Sequence, residues 1–204
     1  MRSTTAAALA LLASSALALP TTTSNQPVTK RQSSNAAAVS SNIAAWQVDI
    51  ENVNGFLDNA QNAINTNTGY NYPQEASFSL GTVGKSCPGP NGCASDGETR
   101  FANLKALLPS NDTHGQAAAA QLDISIPGVI GNLTAITQAS PTDIPSIQAA
   151  INSLNDLRCN VVLPAIAQLW YQATIDTEDT AGTPSSIPAV SGPSACAAVG
   201  TATL

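Results

Sequence analysis

The chain has 204 residues, of which 7 are Lys or Arg, 13 are Asp or Glu and one is His, so its formal net charge is −6. This length allows one domain with tails. The acidic balance argues against nucleic acid as a partner, because little basic surface is available to displace counterions from phosphates. With one His and four Cys, the chain has few side chains from which to build a zinc site or a Ser-His-Asp triad. We therefore expect neither a metal nor a cofactor.

The N-terminal residues predict secretion and processing. A basic start precedes an apolar stretch that ends in Ala16-Leu17-Ala18, which is typical of a signal peptide (residues 1–18) cleaved after Ala18. Residues 19–31 form a polar pro-segment that ends in Lys30-Arg31, a dibasic pair placed like a kexin-type site of fungal secreted proteins. Both cleavages together would remove three basic and no acidic side chains, changing the net charge from −6 to −9.

Two long runs of apolar residues have helical spacing. The first covers residues 36–64, where apolar side chains follow one another at alternating steps of three and four. This stripe fits a core seam against other helices better than a lipid-docking face. The second run begins at a Thr142-Asp143 cap and continues to Leu169, and Pro164 predicts a bend near Leu163.

Shorter helices are predicted between the two runs. A short one lies around residues 75–80, and another is capped by Ser95 or Asp96 and runs to Leu108. A third covers residues 113–138, where Pro127-Gly128 should kink it or split it in two.

No period-two alternation typical of strands occurs, so the predicted fold class is all-α. We expect an antiparallel bundle of four to six helices over residues 32–180, two of them long, with an irregular disulfide loop. Residues 181–204 are rich in Pro, Ser and Gly and predict an extended tail. Beyond the signal peptide, no apolar run is long enough to span a membrane. We expect a secreted, extracellular monomer, either free or associated with the cell wall.

The four cysteines of a secreted chain predict two disulfides. The turn-rich loop between Cys87 and Cys93 favours that pair, which leaves Cys159 and Cys196 to tether the tail to a helix. The two other connectivities remain open on the sequence alone. Two sequons, at Asn111 and Asn132, make N-glycosylation possible in the secretory pathway.

The sequence lacks a recognisable catalytic constellation. His114 lies in a polar segment, and no nucleophile elbow, zinc-protease motif or phosphate-binding glycine loop occurs. Asp176, Glu178 and Asp179 are typical of the acidic end of a helix. Structural roles also account for the other candidates. Trp170 and Tyr171 are expected to anchor the packing of the core, and Glu51 and Asp58 are expected to lie on a solvated face of one helix. We therefore predict that the protein is not an enzyme.

Two segments carry a resemblance to known proteins. They are DIENVNGFL at residues 49–57 and LRCNVVLP at residues 157–164, the latter leading to Leu169-Trp170 and a tail with a final cysteine. With the signal peptide and dibasic site, they resemble small secreted proteins of filamentous ascomycetes. In layout the chain is also similar to the hydrophobic-surface-binding protein A and cell-wall galactomannoprotein family. That resemblance implies a helical, secreted, non-enzymatic protein that binds hydrophobic surfaces or lipids.

Two functions therefore follow as expectations. The first is a non-enzymatic secreted protein acting on a cell-wall or host component, like an effector or elicitor. The alternative is a module that binds lipids or hydrophobic surfaces, in a cavity or on an apolar face of the bundle.

Overall fold

A computed structural model of the chain describes residues 35–81, 87, 92–177 and 187–198. Within these residues the regular structure is helical and no strand occurs, which confirms the all-α fold class. The predicted signal peptide and pro-segment, with Ala18, Lys30 and Arg31, lie outside the described residues. The elements are α1 (Ala36–Thr66), α2 (Tyr72–Leu80), α3 (Ala94–Leu107), α4 (Thr113–Gln138), α5 (Ile144–Leu157), a π-helical turn (Arg158–Val162), α6 (Leu163–Thr177) and a 3₁₀ turn (Ser194–Ala198).

The first helix carries the predicted apolar stripe into the core. It ends at Asn67, whose left-handed backbone (φ 51°) lets its N–H reach the last carbonyls of the helix. Helix α1 packs against α3, α2, α6 and α5, whereas α4 packs against α2, α5, α6 and α3. None of the described helices combines the length and apolarity that crossing a membrane requires. The stripe residues that are buried are Val39, Ile43, Trp46, Ile50, Val53, Leu57 and Ala60.

Helix α4 runs unbroken over residues 113–138, so Pro127 does not split it. A proline removes one backbone N–H and leaves the carbonyl four residues earlier without its helical partner. That carbonyl belongs to Asp123, and both Asp123 and Pro127 lie on the exposed side of the helix. The opposite side, with Leu122 and Val129, is buried in the core and keeps the helix in register.

The second long run is helical without a break over residues 144–177, and a π-helical turn just before Leu163, where a bend was predicted, divides it into α5 and α6. In the turn, the N–H of Leu163 donates to the carbonyl of Arg158, five residues back. The extra residue shifts the helical phase, so that Val162 rather than Val161 is buried. Pro164 then falls in the first turn of α6, where its missing N–H is tolerated.

The helix caps agree with the prediction at α5 but not at α3. Asp143 accepts a hydrogen bond from the N–H of Ser146 (3.3 Å), as the sequence predicts. Helix α3 begins at Ala94 after Cys93, which provides no side-chain cap, so the capping role assigned to Ser95 or Asp96 was wrong. Both side chains have other partners: Ser95 donates to the carbonyl of Leu80 (2.7 Å), and Asp96 accepts from Arg100 (2.9 Å).

The structure contains two disulfides, Cys87–Cys93 and Cys159–Cys196. They are the pairs that the loop lengths favour. The second one joins the π-helical turn to the 3₁₀ turn of the tail. Two hydrogen bonds to α1 hold the same part of the tail: Asn54 Nδ2 donates to the carbonyl of Ser191 (2.9 Å), and Asp58 Oδ1 accepts from the N–H of Ser194 (2.7 Å).

Candidate functional site

Helices α1 and α2 border an open groove with a volume of about 550 Å³. Its α1 wall comes from residues 48–59, which lie on the side of the helix turned towards α2, and Gly55 leaves open space in the middle of that wall. Its α2 wall includes Glu75, Phe78 and Ser79. Helix α2 starts where Asn71 accepts the N–H of Gln74, and it ends at Gly81, whose positive φ of 69° stops the helix.

Two large apolar side chains are exposed in the groove. Phe78 is 45% exposed and Val48 is 40% exposed, and both line it. Only two other large apolar side chains of the described residues are exposed in this way, Ile124 and Ile175. A third apolar surface is the ring of Tyr70, which packs edge-on against the buried Tyr72 with ring centres 4.9 Å apart. The groove therefore offers aromatic and aliphatic carbon to solvent.

The groove is also acidic. Glu51 and Glu75 line it from the two sides, and no Lys or Arg occurs among its described lining residues. Burial of the phenol and the nearby carboxylate of Glu75 raise the pKa of Tyr70 to about 12. Asn52 adds a side-chain carbonyl that is buried and has no hydrogen-bond partner among the described residues. The wall is consequently rich in acceptors.

A buried aspartate fixes one edge of the groove. Asp49 Oδ1 accepts a hydrogen bond of 2.8 Å from the N–H of Cys93, at the start of α3. Next to Cys93, Gly92 lines the groove with a positive φ of 74°, and a Cβ there would lie 2.8 Å from the backbone N of Asp49. Only glycine, which has no Cβ, can lie this close to the backbone of Asp49. The carboxylate of Asp49 thus accepts from the N–H of the N-cap residue itself, which is the role of the N3 side chain in a capping box.

The position of Asp49 gives it unusual acid–base properties. Its side chain is only 2% exposed, and burial raises its pKa from 3.8 to about 7. The hydrogen bond from Cys93 and the charge of Arg100 act in the opposite direction, whereas the charge of Asp96 raises the pKa further. Its Oδ1 atom anchors the start of α3 through the bond from Cys93, whereas Oδ2 is buried without a hydrogen-bond partner among the described residues.

Arg158 is the second buried charge. It is 3% exposed, and its Nη2 donates to Asn54 Oδ1 (2.6 Å) and to the carbonyl of Ile50 (3.4 Å). Burial lowers the pKa of its guanidinium to about 10, which leaves it cationic at neutral pH. Arg158 and Asp49 line the same cavity of about 30 Å³, which has room for one or two water molecules but not for an acyl chain.

One cluster of potential metal ligands cannot bind a metal ion through all three of its members. A carboxylate oxygen of Asp49 and one of Asp96 lie within 4.8 Å of each other and of Cys87 Sγ. Because Cys87 forms a disulfide, its sulfur cannot act as a thiolate ligand. Two carboxylates remain, and that of Asp96 is already paired with Arg100.

The two sequons lie in different structural environments. Asn111 lies exposed in the turn before α4. Asn132 lies in the middle of α4, is partly buried, and donates its amide to the carbonyl of Gly128 (2.9 Å). The Thr134 hydroxyl of the same sequon donates to the carbonyl of Ile130 (2.7 Å).

The remaining sequence candidates are dispersed. His114 is exposed in the first turn of α4, Asp176 lies in α6, and Glu178 and Asp179 fall outside the described residues. Trp170 is fully buried, with its ring edge-on to that of Trp46.

Two acidic side chains do more than the predicted solvation of a helix face. Glu51 lines the groove, and Asp58 anchors the tail. Sequence reasoning also missed Asp49, although one signal existed: position 49 falls between Trp46 and Val53 on the buried face of the helix.

Comparisons with known proteins give no relatives. No protein-family model, no curated protein and no solved structure matches this chain.

Proposed function

We propose that this chain is a secreted, non-enzymatic protein that acts at the fungal cell surface or at a host interface by holding a partner in the groove between α1 and α2. The observation that carries this proposal is the pairing of exposed Phe78 and Val48 with the carboxylates Glu51 and Glu75 on one surface. Exposed apolar side chains framed by polar groups are typical of interaction sites.

The other charged groups of the bundle support this reading because they have structural partners. Asp49 anchors α3, Arg158 binds Asn54, and Asp58 holds the tail. Two disulfides suit an oxidising compartment outside the cytosol. An effector-like role needs a durable scaffold and a recognition surface rather than a reacting group, and the groove supplies that surface.

The test is adherence of the processed protein, residues 32–204, to fungal walls and to host tissue. We expect the fluorescently labelled protein to bind one of them, and the double variant Val48→Ser/Phe78→Ser to lose at least tenfold of that binding. Ile124→Ser is the matched control, because Ile124 is a 77% exposed apolar residue on α4, outside the groove. Equal adherence of all three proteins, or none by the wild type, would contradict the proposal.

Binding of lipids or hydrophobic solids is the second candidate, favoured by the exposed side chains of Phe78, Val48 and Ile124. The 30 Å³ cavity beside Asp49 and Arg158 is too small for an acyl chain, so such binding would use the surface. Adsorption to polystyrene beads and co-sedimentation with phosphatidylcholine vesicles test this candidate. Loss of adsorption in Ile124→Ser as well as in the groove variant would support it, whereas no adsorption by the wild type would contradict it.

A further inference from the structure

The acceptors of the groove lack described partners that could neutralise them. Glu51 accepts one hydrogen bond, of 3.1 Å, from the neutral amide of Gln47. Glu75 lies close enough to Tyr70 to raise the pKa of its phenol. A ligand that balances these two carboxylates must bring hydrogen-bond donors and positive charge.

The described cations of the protein are engaged elsewhere. Arg100 pairs with Asp96, Lys105 pairs with Asp123, and Arg158 is buried against Asn54. The remaining basic residue after processing, Lys85, lies outside the described residues. The processed chain would carry a net charge of −9, so the field around the groove favours the approach of a cation.

Apolar surface lies beside the acceptors. The ring of Phe78 is 45% exposed, Val48 is 40% exposed, and Tyr70 has a ring held by Tyr72. An aromatic face attracts a guanidinium or ammonium group, and a carboxylate binds guanidinium through paired hydrogen bonds. The volume of about 550 Å³ lies within the range of about 300–1,000 Å³ that is usual for ligand pockets. A single metal ion or a simple acyl chain would use only part of this surface.

We infer that the groove binds an extended segment of a partner protein in which Arg or Lys stands beside an apolar residue. The inference rests on the proposed function and specifies the ligand class of the same site. The basic side chain lies between Glu51 and Glu75 with its stem against an aromatic ring, and the apolar neighbour covers Phe78 and Val48.

The experiment is a calorimetric titration of the processed protein with the peptide acetyl-Leu-Arg-Phe-Arg-amide. Its analogue, with citrulline in place of both arginines, has the same shape without the charge. We expect the arginine peptide to bind at least tenfold more tightly than the citrulline peptide, and we expect added salt to weaken only the arginine peptide. Equal affinity for the two peptides, or no heat with either, would overturn the inference.

Two double variants distinguish binding in the groove from attraction by the net charge of the protein. Glu51→Gln/Glu75→Gln should lower the affinity for the arginine peptide at least tenfold. Glu98→Gln/Asp156→Asn makes the same charge change on α3 and α5, outside the groove, and should leave the dissociation constant within twofold. If both double variants lose affinity equally, the attraction is only the long-range field, and the groove is not the site. Circular dichroism and melting curves confirm that each variant is folded.

The two proposals fail in different ways. If the arginine peptide does not bind but Val48→Ser/Phe78→Ser still loses adherence, the groove has another kind of ligand and only this inference falls. Titration with chitohexaose then tests a saccharide, and groove-dependent binding of that sugar overturns the peptide assignment. If the peptide binds in the groove while the protein adheres to neither surface, the site stands and the proposed place of action is wrong.

Discussion

Asp49 on α1 accepts a hydrogen bond of 2.8 Å from the backbone N–H of Cys93, the half-cystine that precedes α3. Through this contact one carboxyl group joins three features: the longest helix, the start of α3 and the Cys87–Cys93 disulfide. Gly92, which lines the edge of the groove, lies against the backbone of Asp49. The protonation state of Asp49 therefore affects the stability of the bundle.

The first prediction concerns pH. The pKa of Asp49 is about 7 in the folded protein against 3.8 for an unperturbed group, so between these values the folded state holds a proton that the unfolded state has lost. The free energy of unfolding should then fall as pH rises from about 4 to about 7, by as much as about 4 kcal/mol from this group. Urea denaturation at several pH values measures the slope.

The variant for this test is Asp49→Asn, which retains an oxygen to accept from Cys93 but cannot ionise. We expect it to flatten the pH dependence between pH 4 and 7, and we expect Asp156→Asn, an exposed residue on α5, to leave it unchanged. The other charged groups around the carboxyl are Asp96, Glu98 and Arg100 on α3, and Arg158 on the π-helical turn. Parallel curves for the wild type and Asp49→Asn would refute the assignment.

The second prediction concerns Arg158. Truncation to Ala leaves a cavity in the core and removes the group that donates a hydrogen bond to Asn54 Oδ1. Arg158→Ala should therefore lower the free energy of unfolding by about 3 kcal/mol or more. Arg158→Met keeps most of the volume and removes the buried charge, so we expect it to cost less than half as much. Chemical denaturation compares them. Equal losses in the two variants would show that the polar contacts of the guanidinium, rather than its volume, stabilise the fold.

The third prediction ranks the two disulfides. The Cys159–Cys196 bridge spans 37 positions and Cys87–Cys93 spans 6. On the chain-entropy account, removing the longer loop should cost about 4 kcal/mol and removing the shorter one about 2 kcal/mol. Paired Cys→Ala variants of each bridge, compared by thermal unfolding, measure this difference. The reverse order would mean that the anchoring of Cys93 by Asp49 makes the short loop dominant.

The fourth prediction distinguishes the sequons. The exposed turn at Asn111 is accessible to a glycan, whereas Asn132 is partly buried in α4 with its amide bound to Gly128. After expression through the secretory pathway of a eukaryotic host, intact-mass measurement should therefore show a glycan that Asn111→Gln removes and that Asn132→Gln leaves in place. An endoglycosidase digest provides the reference mass. A glycan lost only in Asn132→Gln would show that glycosylation precedes the folding of α4.

The sequence was sufficient for much of the fold because α1 and α4 follow a simple periodicity. Steps of three and four keep one face of a helix apolar, and burial of Val39, Trp46 and Leu57 follows from that pattern. The cap at Asp143 was predictable for a similar reason, since it depends on residues three positions apart. Local periodicity and local hydrogen bonds can be recognised in a single chain.

The site could not be predicted in the same way because its features depend on contacts between distant residues. Asp49 is buried because Cys93, 44 positions away, supplies its hydrogen bond. Phe78 looks in sequence like any core aromatic, and only the packing of α2 against α4 and α1 leaves it exposed. The π-helical turn at Arg158 arises where a buried guanidinium and a disulfide must both face the core, which no periodicity encodes.

The attachment of the tail to α1 has a consequence for the order in which the chain matures. Asn54 and Asp58 receive their partners, Ser191 and Ser194, from 137 and 136 positions later in the chain. During synthesis the first helix therefore emerges long before the backbone groups that satisfy it. The helix is therefore completed only when the tail docks on it, together with the closure of Cys159–Cys196. A nascent chain that stalls before residue 187 would leave Asp58 Oδ1 without this donor, whereas Asn54 would keep the hydrogen bond from Arg158.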